Sequence, residues 1–219
     1  MYWGKNMDVF RYSEVSGTLL PNPKGEFTVI VEGDVCLVQP AKQDVEFGVI
    51  GNEGTYLEKL KSFERLTGVR LEVFCAMAVP EPKERLRRLS RLFGRTFEDY
   101  VLRLLSSNFR VERGRDVRPS FSKFTGKRDH VRPDFVVEGI AVEAKVGEYQ
   151  SAQLEQYSKI FPKGVLTTPF SSPCSIPKGW LCVSNLAYNG AKLIESIKLL
   201  KEGRRGERGD RYTPLGGIS

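Results

Sequence analysis

The sequence predicts an α/β protein in which helices flank a mixed central β-sheet, with an α+β extension at the N-terminus. From residue 94 onward, runs rich in β-branched residues alternate with runs of helical periodicity, in the order helix, three strands, helix, two strands, helix. Before residue 80, strand-like and helix-like runs stand apart from this pattern and end at a Pro-Glu-Pro break. We therefore expect an N-terminal α+β unit of unknown role over residues 1–80, a second domain over 83–202 and a disordered basic tail over 203–219.

Length, charge and hydropathy limit the number of domains, the kind of partner and the cellular location that we expect. The chain has 219 residues, 40% of them hydrophobic, which suits one domain with an appendage or two small domains. Its net charge of +7 is compatible with a polyanionic partner, although a merely basic surface would give the same number. It has no run of the roughly 20 apolar residues that a membrane span needs, and its N-terminus lacks a signal-peptide core. We expect a cytoplasmic protein without a membrane partner.

In the N-terminal unit, residues 26–31 and 34–38 are predicted strands of a hairpin, and 45–50 a third strand. A helix is predicted over 55–67, and a buried strand over 69–79. The four cysteines of the chain form no CxxC pair, which favours structural thiols over a zinc site. They are Cys36, Cys75, Cys174 and Cys182.

Residues 83–107 predict one helix broken near Gly94, or two helices. The first half is amphipathic and basic, and its arginines could contact phosphates or form a solvated charged face: Arg87, Arg88 and Arg91. In the second half, Glu98 lies beside the apolar stripe that faces inward. A strand at 109–112 and a long basic loop at 113–132 follow, and the loop has the composition of a DNA-backbone clamp. Its candidate phosphate-binding residues are Arg115, Arg118, Lys123, Lys127, Arg128 and Arg132.

The central pattern is a hairpin of residues 135–137 and 140–146, joined at Glu138-Gly139. Strand alternation places Glu143 and Lys145 on one face, and the hairpin folds Asp134 back towards Glu143. Two carboxylates and an ammonium on an otherwise apolar sheet are costly unless something binds them.

A helix over 149–161, strands at 164–168 and 180–184, and a closing helix over 185–202 complete the predicted domain. On the first of these helices, Gln153 and Tyr157 are spaced i, i+4 and share a face.

These residues resemble the motifs of the PD-(D/E)xK nuclease superfamily. Pro133-Asp134 and Glu143-Ala144-Lys145 match its core motif, Gly94 to Glu98 matches the Gly-x-x-x-Glu of the RecB-like branch, and Gln153 to Tyr157 matches its Gln-x-x-x-Tyr. The resemblance covers roughly residues 94–186 and implies a restriction-endonuclease-like core.

The resemblance also implies a chemistry. Asp134, Glu143 and the Ala144 carbonyl would hold Mg²⁺ or Mn²⁺, with Glu98 reaching the same metal or a second one. Lys145 would orient the attacking water and stabilise charge in the transition state, while Gln153 and Tyr157 would help hold DNA and orient the site. The expected activity is magnesium-dependent hydrolysis of DNA phosphodiester bonds.

The subtype stays open between a RecB-like exonuclease and a structure-specific endonuclease similar to archaeal Holliday-junction resolvases, which usually act as dimers. The trio of closely spaced C-terminal cysteines found in RecB-like CRISPR nucleases is missing, which argues against an iron–sulfur cluster. A catalytically inactive nucleic-acid-binding or protein-interaction module on the same fold is the alternative.

Overall fold

We describe a computed structural model, which covers residues 7–12, 27–32, 35–39, 53–79, 81–114, 119–121, 128–130, 132–147 and 149–202. The chain divides into two compact units, Met1–Val101 and Leu102–Ser219. The domain boundary expected near residues 80–82 stays a prediction. Among the described helices, none is long and apolar enough to cross a bilayer.

The first unit contains a three-stranded antiparallel sheet in the order β1 (Met7–Tyr12), β2 (Phe27–Glu32) and β3 (Val35–Gln39). The two predicted hairpin strands are confirmed within one residue. The sequence prediction missed β1, because Met-Asp-Val-Phe-Arg-Tyr mixes polar and apolar residues on both faces and so lacks a period-two pattern. The strand predicted at 45–50 lies outside the described residues.

Two helices follow in this unit. The predicted helix is confirmed as α1 (Glu53–Thr67), and Gly68, at φ 69°, ends it. The buried strand predicted over 69–79 is wrong, because this segment is irregular and then forms the short helix α2 (Phe74–Met77). Ala76 and Met77 are buried residues of high helix propensity, and they outweigh the β-branched valines around them.

Helix α3 (Pro82–Ser106) runs without interruption, so the break predicted near Gly94 is wrong. A glycine inside a helix costs only about 1 kcal/mol relative to alanine. The buried rings on either side of it supply more than that, since Phe93 and Phe97 pack edge-to-face on Phe63 with centroids 5.3 and 6.0 Å away.

The second unit confirms the α/β prediction. Its described elements, after the last turn of α3, are β4 (Val111–Arg113), β5 (Pro119–Phe121), β6 (Arg128–His130), β7 (Phe135–Val137), β8 (Ile140–Ala144), α4 (Ser151–Ser158), β9 (Gly164–Thr167), β10 (Trp180–Val183) and α5 (Ala191–Lys201). Five strands form a mixed sheet in the order β10-β9-β8-β7-β4. Strands β8, β9 and β10 are parallel, while β7 is antiparallel to both β8 and β4. We call the edge at which β8, β9 and β10 end the carboxyl edge.

Several predicted bounds need correction. The second hairpin strand ends at Ala144 rather than at 146, and α4 is shorter than the predicted 149–161. The closing helix begins at Ala191 rather than at 185, because Asn185 takes a left-handed conformation (φ 61°) and its carbonyl accepts turn hydrogen bonds from Tyr188 and Asn189. Part of the segment expected to be a basic loop pairs instead as the antiparallel strands β5 and β6.

The cysteines also differ from the prediction of structural thiols. Cys174 and Cys182 form a disulfide with Cα atoms 6.2 Å apart, and Cys75 is disulfide-bonded as well. The eight-residue separation could not show this, because it depends on the loop after β9 folding back beside β10.

Candidate active site

The candidate site lies where β7 begins and β8 ends. Phe135 pairs with Val142, so the register places Asp134 opposite Glu143 at the carboxyl edge. The connecting turn fixes this register, because Glu138 and Gly139 both adopt positive φ, 49° and 82°, as a type I′ hairpin turn requires. Local turn chemistry thereby brings together two carboxylates that are nine residues apart in sequence.

Each carboxylate accepts a hydrogen bond from a backbone amide of the facing chain segment. The Asp134 amide donates to Glu143 Oε2 at 3.2 Å, and the Ala144 amide donates to Asp134 Oδ2 at 2.8 Å. These bonds continue the contact between β7 and β8 beyond the last strand pair. Each carboxylate is thus held at a fixed position by backbone atoms.

Lys145 completes the cluster. Its ammonium Nζ lies 2.7 Å from Glu143 Oε1, and its amide donates to the Thr167 carbonyl on β9 at 2.9 Å. Glu143 is 1% exposed, whereas the Lys145 side chain keeps 28% of its surface exposed. The ion pair shows the two side chains on one face of β8, as strand alternation predicts. The lysine therefore stands between the buried glutamate and solvent.

Burial opposes ionisation of both acids. Desolvation, followed by the neighbouring charge of Asp134, raises the pKa of Glu143 to about 7, although Lys145 opposes the rise. Desolvation also raises the pKa of Asp134, opposed by the Ala144 amide and by the Lys145 charge. The pair would release its protons more readily if an additional positive charge were present.

This donor set fits a hard divalent cation. Mg²⁺ prefers carboxylate oxygens and is commonly held by one or two of them together with waters and substrate phosphates. Asp134 and Glu143 provide such a pair, and the Ala144 carbonyl is the third ligand implied by the resemblance. Within the described ranges, no group of three or more His, Cys, Asp and Glu side chains is placed to hold a metal ion.

Helix α4 adds a chain of hydrogen bonds. Gln153 Nε2 donates to the Tyr157 hydroxyl, which donates to the Arg132 carbonyl oxygen, both at 2.6 Å. Tyr157 is buried, and its ring stacks on Trp180 with centroids 6.4 Å apart. Burial and the nearby Glu143 charge raise the pKa of Tyr157 to about 12, so the hydroxyl keeps the proton that it donates. These contacts orient the segment that leads into Asp134.

Sequence reasoning missed Gly114. Its amide donates to the Asp134 carbonyl at 3.1 Å, and a Cβ at this position would overlap the Pro133 carbonyl. Only glycine allows this close approach of two backbones. The available signal was a glycine two residues after the predicted strand at 109–112, but it could not identify Pro133 as the neighbour.

Other predicted site residues lie elsewhere or outside the described part. Glu98 and the three arginines predicted to bind phosphate, Arg87, Arg88 and Arg91, belong to the first unit. Arg87 and Arg88 both pair with Glu84, at 2.6 and 3.0 Å, a partner that the sequence analysis did not consider. Arg132 is exposed and precedes the site by two residues, whereas Arg128 is described only as part of β6. The remaining basic residues predicted in this segment lie outside the described residues: Arg115, Arg118, Lys123 and Lys127.

Comparison with known proteins adds no family: no family model matches the chain, and neither curated proteins nor solved structures give a match. We therefore infer function from the geometry of the site.

Proposed function

We propose that this protein is a metal-dependent DNA nuclease that hydrolyses phosphodiester bonds on a restriction-endonuclease-like core. One observation carries the proposal: Asp134, Glu143 and Lys145 meet at the carboxyl edge, with both acids desolvated and the lysine ammonium 2.7 Å from Glu143. Perturbed ionisable groups grouped at the ends of parallel strands are typical of functional sites.

The chemistry of the substrate explains why such a cluster is useful. A phosphodiester resists hydrolysis because its negative charge repels a nucleophile and its leaving group is poor. A bound Mg²⁺ would supply an activated water and neutralise phosphate charge. Asp134 and Glu143 would bind this ion, and their two buried charges would be compensated by it.

The chain's own residues have separate roles in this proposal. Lys145, partly exposed beside the buried pair, would point its ammonium at the scissile phosphate and stabilise the charge that develops there. Tyr157 and Gly114 would position Asp134, since both contact the backbone of residues 132–134. Gln153 would orient the Tyr157 hydroxyl.

The decisive experiment incubates the protein with labelled linear, circular, single-stranded and four-way-junction DNA, with Mg²⁺ or with excess EDTA. We expect cleavage of at least one substrate in Mg²⁺ and none in EDTA. DNA binding without cleavage in either Mg²⁺ or Mn²⁺ would favour the inactive nucleic-acid-binding module. The set of substrates also separates exonuclease from endonuclease action, because an exonuclease needs a strand end.

A further inference from the structure

A pair of aromatic rings lies at the same edge of the sheet as the candidate site. Phe170 follows β9 and Tyr188 follows β10, and their rings meet edge-to-face with centroids 6.3 Å apart. Tyr188 is 66% exposed, the largest value for any large hydrophobic side chain in the described residues. An exposed aromatic ring of this kind offers a flat face on which another ring can stack.

The backbone holds the two rings together. The Thr168 amide donates to the Val183 carbonyl, the Leu186 amide to the Thr168 carbonyl and the Ala187 amide to the Pro169 carbonyl, at 3.0 to 3.1 Å. The turn after β10 is closed by the Tyr188 amide, which donates to the Asn185 carbonyl at 3.0 Å. The loops after β9 and β10 therefore form one tied surface, and the Tyr188 ring is presented from a fixed backbone.

The sheet also fixes where this surface lies relative to the candidate site. Ala144, at the end of β8, pairs with Thr167, and Thr167 pairs with Val183 at the end of β10. Neighbouring strands are about 4.8 Å apart, so the end of β10 lies roughly 10 Å from the end of β8. A nucleic-acid strand with a phosphate at Asp134 and Glu143 would therefore have its neighbouring nucleotides near the ends of β9 and β10, from which the loops with the aromatic pair extend.

We propose that Tyr188, supported by Phe170, stacks on an unpaired nucleobase next to the cleaved phosphate. The site would therefore act on single-stranded DNA or on a single-stranded segment of a larger DNA. Bases inside a duplex have both faces covered, whereas an unpaired base offers a face to an aromatic ring whatever its sequence. The substrate class rests on the proposed nuclease function, but the stacking itself is measured separately as binding.

The test is the affinity for a short fluorescein-labelled single strand, followed by anisotropy in EDTA so that no cleavage occurs. Stacking on one aromatic ring contributes about 1–3 kcal/mol per base, so Tyr188→Ala should weaken binding about tenfold. Tyr188→Phe should bind like the wild type, because its ring keeps the stacking face. The dissociation constant for closed circular duplex, measured by competition, should be the same for wild type and Tyr188→Ala.

Ile160→Ala is the matched control. Ile160 is the other exposed large hydrophobic residue among those described, at 36% exposure. It lies just before Lys163, whose carbonyl accepts from Ala141 near the start of β8, and so at the opposite edge of the sheet. This variant should bind the single strand as the wild type does.

Three results would overturn the stacking site: wild-type affinity in Tyr188→Ala, an equal loss in Tyr188→Phe, or an equal loss of affinity for the closed duplex. If the wild type cuts DNA in Mg²⁺ and Tyr188→Ala keeps wild-type affinity for the single strand, the stacking site fails and the nuclease stands. If Tyr188→Ala loses single-strand affinity but no protein cuts DNA, the nuclease fails and the stacking site stands.

Discussion

The Tyr157 hydroxyl donates a 2.6 Å hydrogen bond to the carbonyl oxygen of Arg132, two residues before Asp134. This contact joins α4 to the chain that enters β7. A buried side chain thereby fixes the backbone from which a candidate metal ligand projects.

Tyr157→Phe removes this bond and keeps the ring on Trp180. We expect the free energy of unfolding to fall by about 1 kcal/mol, because the partly buried hydrogen bond to the Arg132 carbonyl is lost. Cleavage should fall roughly ten- to a hundredfold, since small displacements of catalytic groups are costly. The control is Tyr149→Phe, which loses a hydroxyl that donates to the Ser175 carbonyl at 3.0 Å. Equal cleavage rates in the two variants would contradict a positioning role.

Asp134→Asn and Glu143→Gln test the candidate ligands. Each keeps an oxygen that can accept the backbone hydrogen bond seen in the structure but loses the negative charge that a cation needs. Titration calorimetry should show lost Mg²⁺ binding, and cleavage should disappear while the protein stays folded. Glu138→Gln, in the turn at the other end of the same hairpin, should keep both properties. Wild-type Mg²⁺ affinity in either ligand variant would exclude the proposed site.

The raised pKa of Glu143 predicts how stability depends on pH in EDTA. The native carboxyl holds its proton up to about pH 7, whereas the ordinary value is 4.5, so the native state binds more protons between these limits. The free energy of unfolding should therefore fall as pH rises from about 4.5 to about 7. Urea denaturation of wild type and Glu143→Gln measures this contribution, which the variant should lack. Identical pH profiles would show that Glu143 is not desolvated as described.

Lys145→Ala should separate binding from chemistry. The ammonium is needed mainly as charge develops on the attacked phosphate, so cleavage should fall on the order of a hundredfold or more. DNA affinity should stay within a few-fold, and both carboxylates remain to bind Mg²⁺. Lys163→Ala, which removes an exposed ammonium that donates to the Leu200 carbonyl, is the control. A Lys145→Ala protein that cuts at the wild-type rate would reduce the lysine to a counter-charge.

The basic face of α3 can be tested through Glu84. This residue pairs with both Arg87 and Arg88, and hydrogen bonds from Arg87 are the main cause of its lowered pKa. If the arginines contact DNA phosphates, Glu84→Gln should raise DNA affinity a few-fold and steepen its salt dependence. Arg91→Gln should lower DNA affinity and make its salt dependence less steep. Anisotropy titrations at several salt concentrations measure the slopes. Unchanged slopes in both variants would mean that this face does not bind DNA.

Elements with a local pattern could be predicted from the residues alone. The hairpin at 135–144 follows from two β-branched runs around Glu-Gly, and α1 from its apolar spacing and its closing glycine. Alternation on β8 was enough to place Glu143 and Lys145 together, and the hairpin brought Asp134 to them. The candidate site was predictable because its residues lie on two adjacent strands.

Features that depend on distant partners could not be predicted from local patterns. Gly94 did not break α3, because burial of Phe93 and Phe97 on Phe63 outweighs the weak helix propensity of glycine. The contact of Tyr157 with Arg132, the close approach of Gly114 to Pro133 and the ring pair of Phe170 and Tyr188 join segments that no local pattern relates. Local propensity fixes where a strand or turn forms, but the pairing order of the strands and the packing of the loops at their ends fix which side chains meet.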